Sequence, residues 1–266
     1  MEQTLFGQDT YRTESRRLSL ASRFMPSITF YASMIRIVVQ ASSKAKRGSY
    51  DTADWCRSSL ATLRALERTG VSIEITGIDN FRTLTGPCVF IGNHMSTLET
   101  FVLPTIIATI KEATFVVKQS LVEYPVFKYV MRSRNPITVG RLNPRDDLRA
   151  VLEGGAERLK AGISIIIFPQ TTRTPVFIKE QFNTIGVKLA KRADVPVVPI
   201  ALKTDAWGNG RFLKDFGRID SAKTVHFAFG KPLLIKDRGN EEHEQVVDFI
   251  KKKLEEWAHD PERNAV

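Results

Sequence analysis

His94 and Glu99, five residues apart in FIGNHMSTLET (90–100), are the pair in this sequence whose types could move a proton. A carboxylate on one ring nitrogen of an imidazole fixes its tautomer and leaves the other nitrogen free to act as a base. In a continuous helix the two side chains would sit about 140° apart around the axis, too far to touch. The stretch itself argues against continuity. Val89, Phe90 and Ile91 end an apolar run, Gly92 breaks it, and Asn93 and His94 fall at a turn. Ser96 and Glu99 then form the S-x-x-E pattern of a helix start, with Ser96 as N-cap. From that position Glu99 curls back toward the incoming chain, where His94 waits. A plainer reading, a capping glutamate beside an ordinary turn histidine, also fits this stretch taken alone.

Three cations stand just after segments that read as strands. Lys118 follows 113–117, Arg141 follows 137–139, and Arg173 lies in FPQTTRT (168–174), after the apolar run 163–168. Open α/β sheets place their sites at the carboxyl ends of strands, where loops converge. Any one of these cations reads as a surface charge. Together they suit a phosphate, which Arg grips with a planar fork and Lys meets as a point charge.

The elements that must position these residues follow a strand-then-helix rhythm. Strands are predicted over 71–75, 88–91, 113–117, 137–139, 163–168, 195–202 and 225–229. Helices are predicted over 54–68, 97–110, 122–131, 147–160, 182–192 and 241–257. The run ISIIIF (163–168) is the most apolar and so a central strand buried on both faces. Pro196 and Pro199 should limit the partners of 195–202. Alternating strands and helices around buried apolar strands give a single α/β domain over 51–266, with a mostly parallel or mixed central sheet flanked by helices.

Residues 1–50 form a segment of different character. Eight Lys and Arg against three Asp and Glu concentrate positive charge there, within a chain of net charge +10. Residues 1–17 are polar and expected to be loosely ordered. Over 18–39, Ala21, Phe24, Ile28, Tyr31, Ile35 and Val38 recur at steps of three and four, an apolar helical stripe, and Pro26 bends or restarts the helix. The uncharged run between Arg23 and Arg36 is 12 residues, short of the about 20 needed to cross a bilayer. With Lys44, Lys46 and Arg47 following, the stripe suits an interfacial helix on an anionic membrane surface. It also suits a helix packed on the protein's own core.

Composition narrows the classes. Hydrophobic residues make up 42% of 266 residues, enough for a full core, and the charge of +10 calls for an anionic partner. No nucleic-acid module or aromatic platform accompanies the cations, which excludes nucleic acid as the expected partner. Two cysteines, Cys56 and Cys88, give neither a disulfide framework nor a metal set; Cys88 reads as a small core residue. No signal peptide is expected from the polar start. His226, His243 and His259 read as structural or solvated, and no G-x-S-x-G elbow surrounds Ser96.

The motifs resemble those of the glycerolipid acyltransferases, the 1-acylglycerol-3-phosphate acyltransferase type. NHMSTLE (93–99) is similar to that family's NHxxxxD signature, FPQTTRT to its FPEGTRS block, and VPVVPIAL (195–202) to its closing VPxxPV motif. FVVKQSL (115–121) and PITVGR (136–141) resemble the segments between, so the likeness runs in order over about 71–235. Two departures stand out. Glu99 replaces the usual Asp, and Gln170–Thr171 replace Glu-Gly.

The resemblance implies an O-acyltransferase with His94 as base and Glu99 as its partner. Lys118, Arg141 and Arg173 would hold the acceptor phosphate, and Gln170, Thr171 and Thr172 would form the substrate loop. The acceptor would be a lysophospholipid, most simply 1-acyl-glycerol-3-phosphate, and the donor acyl-CoA or acyl carrier protein. No cofactor or metal is implied beyond that donor. Backbone N–H groups at the helix start or near Thr171–Thr172 would face the oxyanion. The expected place is peripheral, on the cytoplasmic face of a membrane. The altered loop leaves another lysolipid acceptor open, and the positive charge by itself would also suit a non-enzymatic basic protein binding membrane or nucleic acid.

Overall fold

Three apolar strands carry the centre of the fold, and their alternation builds two cores. In the computed structural model, which describes residues 7–14, 17–170, 172–210 and 214–259, these strands are Val89–Gly92 (β3), Ser164–Ile167 (β6) and Val197–Lys203 (β7). Phe90, Ile166, Val198, Ile200 and Leu202 point into one core; Val89, Ile91, Ile165, Ile167, Val197 and Ala201 point into the other. Side chains alternate along a strand, so a strand apolar at every position must be covered on both faces.

The remaining strands are Tyr11–Arg12 (β1), Ser72–Thr76 (β2), Ala113–Lys118 (β4), Ile137–Val139 (β5) and Thr224–Phe229 (β8). The eight form one mixed sheet in the order β1-β2-β8-β7-β3-β6-β4-β5. The run β7-β3-β6-β4-β5 is parallel throughout, whereas β8 is antiparallel to β7. One face is covered by helices Pro26–Lys46 (α2, preceded by the short α1, Leu20–Phe24), Thr52–Arg68 (α3) and Leu98–Ile107 (α5). The other carries Pro144–Lys160 (α7), Ile185–Ala193 (α8) and Asn240–Ala258 (α9). Short helices Asp79–Arg82 (α4) and Phe127–Ser133 (α6) complete the set. Gly186 lets α8 sit close on the sheet: a Cβ there would come within 2.6 Å of Ile91.

The α/β class and ISIIIF as a central strand agree with the sequence reading, and several boundaries move for local reasons. The helix expected over 122–131 is split, because Pro125 and the positive φ of Val126 separate a 3-10 turn at Gln119–Val122 from α6. The helix expected from 147 starts at Pro144, with Asn143 as cap and proline in the first turn, where its missing N–H costs nothing. The limit expected from Pro196 and Pro199 falls on one side of β7: its ladder with β3 runs from Val197, but its ladder with β8 begins only at Ile200, past Pro199 and its missing donor.

Residues 7–14 and 17–50 pack onto the same body. Tyr11 and Arg12, expected to be loose, add an edge strand to β2, tied down by the hydroxyls of Tyr11 and Thr13 on the buried Glu67 carboxylate. Residues 1–6, 15 and 16 lie outside the described residues. Pro26 restarts the helix, and α2 buries Phe30, Met34 and Ala41 against α3 and α6. The apolar stripe read from spacing is divided: Tyr31 and Val38 pack against the core, whereas Phe24, Ile28 and Ile35 are exposed. No helix among the described residues is long and apolar enough to cross a membrane.

Phe30 is fully buried, with its ring 4.8 Å from that of Trp207. Phe30→Ala should therefore lower unfolding stability by about 3–5 kcal/mol. Phe24→Ala, on the open face, should change it by no more than about 0.5 kcal/mol. Urea denaturation of the two variants distinguishes a helix built into the core from one merely attached to it.

Candidate active site

The carboxyl ends of β3, β6, β4 and β5 lie along one edge of the sheet, and each leads into one predicted cluster. β3 runs into His94, β6 into Phe168–Arg173, β4 ends at Lys118, and β5 is followed by Arg141. Lys118 pairs in register with Val139, so Lys118 and Arg141 stand at neighbouring strand ends.

Asn93 extends the β3–β7 contact with its side chain. Its amide donates to the Leu202 carbonyl and its oxygen accepts the Leu202 N–H, both at 2.8 Å. This holds the turn on which His94 sits. The His94 ring lies flat on Phe168, with centroids 4.5 Å apart and an interplanar angle of 5°. Its Nδ1 is 3.1 Å from Glu99 Oε1, as the turn-then-helix reading requires.

Glu99 is completely buried, yet its oxygens are richly supplied with donors. Oε1 accepts the Met95 and Ser96 N–H groups at 2.6 and 3.1 Å. Oε2 accepts the Ser96 N–H at 3.0 Å and the Thr204 hydroxyl at 2.8 Å. Burial alone would raise this carboxyl, but the hydrogen bond and charge of His94 and the backbone donors hold it below its ordinary value. An ionised Glu99 can only accept, so Nδ1 of His94 carries the hydrogen and Nε2 carries the lone pair. The imidazole is 16% exposed, so this base is reachable from the sheet edge.

The assigned helix α5 starts at Leu98 behind Thr97, but Thr97 makes no side-chain cap bond and already has helical φ and ψ. The capping bonds are those of Ser96, whose hydroxyl accepts the Leu98 N–H at 3.1 Å and whose N–H donates to Glu99, as the S-x-x-E pattern predicts. The Met95, Ser96 and Leu98 N–H groups are thereby committed, which removes them as candidates for the oxyanion at the helix start.

Of the three cations, Arg173 is already paired. Arg173 turns toward α5 and the β7–β8 connection, where it meets the Thr97 hydroxyl and pairs with Asp215 at 2.7 Å. Lys118 and Arg141 stay at the β4 and β5 ends, with the Arg141 loop shaped by Asp147, which accepts the Gly140 and Arg141 N–H groups. Within the substrate loop, Gln170 is buried and accepts the His94 N–H at 2.7 Å, Thr172 is exposed, and Thr171 lies outside the described residues. Cys88 is buried in the core, its thiol pushed up to about 12 by burial. His226 is likewise internal, against Glu74 and Trp257.

Sequence reasoning missed Asn93, Phe168, Thr204 and Asp215 as parts of this site. Asn93 and Phe168 are the first residues of the motifs NHMSTLE and FPQTTRT, which gave them no role of their own. Thr204 and Asp215 follow β7 and reach the site only because β7 lies beside β3.

The acyltransferase family model matches residues 72–203, from the first residue of β2 to the last of β7. The chain is 34% identical over 148 residues to the 1-acyl-sn-glycerol-3-phosphate acyltransferase of Pseudomonas aeruginosa, covering 56% of this chain and 55% of that one. It is 30% identical over 129 residues to the chloroplastic 1-acyl-sn-glycerol-3-phosphate acyltransferase BAT2 of Brassica napus, covering 48% and 36%. The chain thus spans about half or less of the length of these curated relatives. The crystal structure of the 1-acyl-sn-glycerophosphate (LPA) acyltransferase PlsC from Thermotoga maritima shares the fold. Its TM-score is 0.65 at 20% identity, covering 88% of this chain and 95% of that chain.

The Glu99 environment has a consequence for stability. A carboxyl held below its ordinary value, 4.5, contributes stability above that pH, and the contribution is lost as pH falls through the lower folded value. Glu99→Gln places an amide donor against donors and should cost about 1–3 kcal/mol near neutral pH. Urea unfolding of the two proteins should show that gap narrowing as the solution is taken below the ordinary carboxylate range.

Proposed function

We propose, from the match of residues 72–203 to the acyltransferase family model, that the protein moves a fatty acyl group from a thioester donor to the free hydroxyl of 1-acyl-glycerol-3-phosphate, giving phosphatidic acid. The observation that carries this reading is the His94–Glu99 pair, a base whose tautomer is set by a buried carboxylate and whose side chain is partly exposed. Nε2 of His94 takes the acceptor's hydroxyl proton as the oxygen attacks the thioester carbonyl. The tetrahedral intermediate collapses by breaking the carbon–sulfur bond, and the departing thiolate takes the proton from the imidazolium. Glu99 stabilises that imidazolium in between. General-base assistance of this kind contributes about 10²–10⁴-fold. Acyl-CoA and acyl carrier protein are both suitable donors, and the reaction needs no further cofactor.

Arg173, Lys118 and Arg141 are the acceptor's phosphate contacts in this reading. Arg173 already holds the Asp215 carboxylate, so an arriving phosphate exchanges for one anion with another. That same pairing favours a second reading, an acceptor with a zwitterionic or neutral head group.

The membrane partner is proposed from the outer face of α1 and α2. Leu20, Phe24, Met25, Ile28, Ile35 and Val39 are each more than half exposed there, beside Arg23, Arg36, Lys46 and Arg47. Apolar side chains among basic ones suit an anionic lipid surface. The protein would sit on the cytoplasmic face, with its acceptor drawn from the bilayer.

An acyl-transfer assay against a panel of lysolipids with both donor types tests the reading. His94→Ala should reduce transfer by about 10²-fold or more with folding retained. Wild-type protein should have a higher kcat/KM for 1-acyl-glycerol-3-phosphate than for the matching monoacylglycerol, and Arg173→Ala should shrink that preference. Equal values for the two acceptors would favour the second reading.

For the membrane surface, deletion of residues 18–47 is a poor probe, since it removes Phe30 and Met34 from the core. The double substitution Phe24→Ser, Ile28→Ser leaves the core intact. It should weaken co-sedimentation with anionic vesicles, and undiminished binding would separate this face from the membrane.

A further inference from the structure

Gln170 stands where the resembled family carries a glutamate, and it does not face outward. It is 3% exposed and spends its amide inside the protein. Its Oε1 accepts the His94 backbone N–H at 2.7 Å, which fixes the amide orientation, because an N–H can meet only the oxygen. Its Nε2 then donates to Thr174 Oγ1 at 2.8 Å, and the Thr174 N–H donates to the His94 carbonyl at 3.0 Å. Both polar groups of the His94 main chain are therefore held by one five-residue span of the β6 loop. Phe168, at the start of that loop, supports the ring.

We propose that Gln170 is a positioning residue for His94. With Thr174 it clamps the main chain of the base, and its neutrality keeps Glu99 the single carboxylate in contact with the imidazole. A glutamate could accept the same N–H, and the Thr174 hydroxyl could turn to donate to it. The hydrogen bonds would survive, but a second negative charge would stand beside His94. That charge favours the imidazolium over the free base. The other charged groups around the site are Glu99 on α5, the Arg173–Asp215 pair reaching Thr97, and Lys118 and Arg141 at the β4 and β5 ends. None of these is altered by a change at position 170.

The kinetic arm of the test rests on the acyl-transfer reading; the titration arm does not. Gln170→Ala should lower kcat about tenfold with acceptor KM little changed, because a loosened base affects the chemical step. Thr174→Val keeps the N–H to the His94 carbonyl and should lower kcat less. Gln170→Glu should recover most of the rate at alkaline pH, with the acid limb of kcat/KM moved up by about one pH unit. In proton NMR the His94 ring signal, identified by its loss in His94→Ala, should titrate higher in Gln170→Glu by the same amount. Unchanged kcat with raised acceptor KM in Gln170→Ala would overturn the proposal and put Gln170 on the substrate. An unshifted His94 titration in Gln170→Glu would overturn the charge argument, even in a protein showing no transfer. Should Gln170→Ala fail to fold, the Thr174→Val and Gln170→Glu comparisons decide the matter. Loss of transfer in wild-type protein would count against the proposed function alone.

Discussion

A fully buried carboxylate is the constraint on which the site depends. Glu99 would be expelled from the interior, or would take up a proton, without compensating hydrogen bonds. Met95, Ser96, Thr204 and His94 supply them, from three sides: the entry turn, the end of β7 and the imidazole. Each donor has one position from which it can reach Glu99. The carboxylate therefore fixes the turn, the start of α5 and the tautomer of His94 together. The bond from the Ser96 N–H to Glu99, with the Ser96 hydroxyl on the Leu98 N–H, is part of that arrangement.

Sheet order explains why residues distant in sequence meet here. Parallel strands in the order β7-β3-β6-β4-β5 bring five carboxyl ends to one edge, with neighbours about 4.8 Å apart. β7 and β6 flank β3, so Thr204 reaches Glu99 and Gln170 reaches His94 over one strand spacing. Lys118 and Arg141 stand two and three strands from β3, which gives the edge a gradient. The base lies at one end, and cations suited to an anionic group lie toward the other. Arg173 departs from that gradient because Thr97 and Asp215 draw it toward the β7 side.

The N-terminal helices divide their work between two faces. Phe30, Met34 and Ala41 pack into the core that also buries α5, so the segment supports the site's own scaffold. The opposite face keeps its apolar side chains in the open, flanked by arginines and lysines. A helix with apolar side chains on two faces has two surfaces to cover, and α3 and α6 cover only one.

The chemistry-bearing residues were legible in the sequence because they are local. His94 and Glu99 lie within one turn-and-helix stretch, and a glycine break, a capping pattern and an apolar run suffice to place them. ISIIIF marked the central strand, since a strand apolar at every position needs cover on both sides. The apolar stripe of α2 was also legible, but periodicity cannot say which of two apolar faces meets the core. Partner strands decide that, as they decide that Pro199 sits in an interior strand. The same holds for the charges. Lys118, Arg141 and Arg173 share a position after strands, yet spacing carries no information about the direction of a side chain. Only the packed structure pairs Arg173 with Asp215, 42 residues away, and turns Gln170 inward to His94, 76 residues away. Hydrogen bonds across such separations depend on which strands are neighbours, and strand order is a property of the assembled sheet.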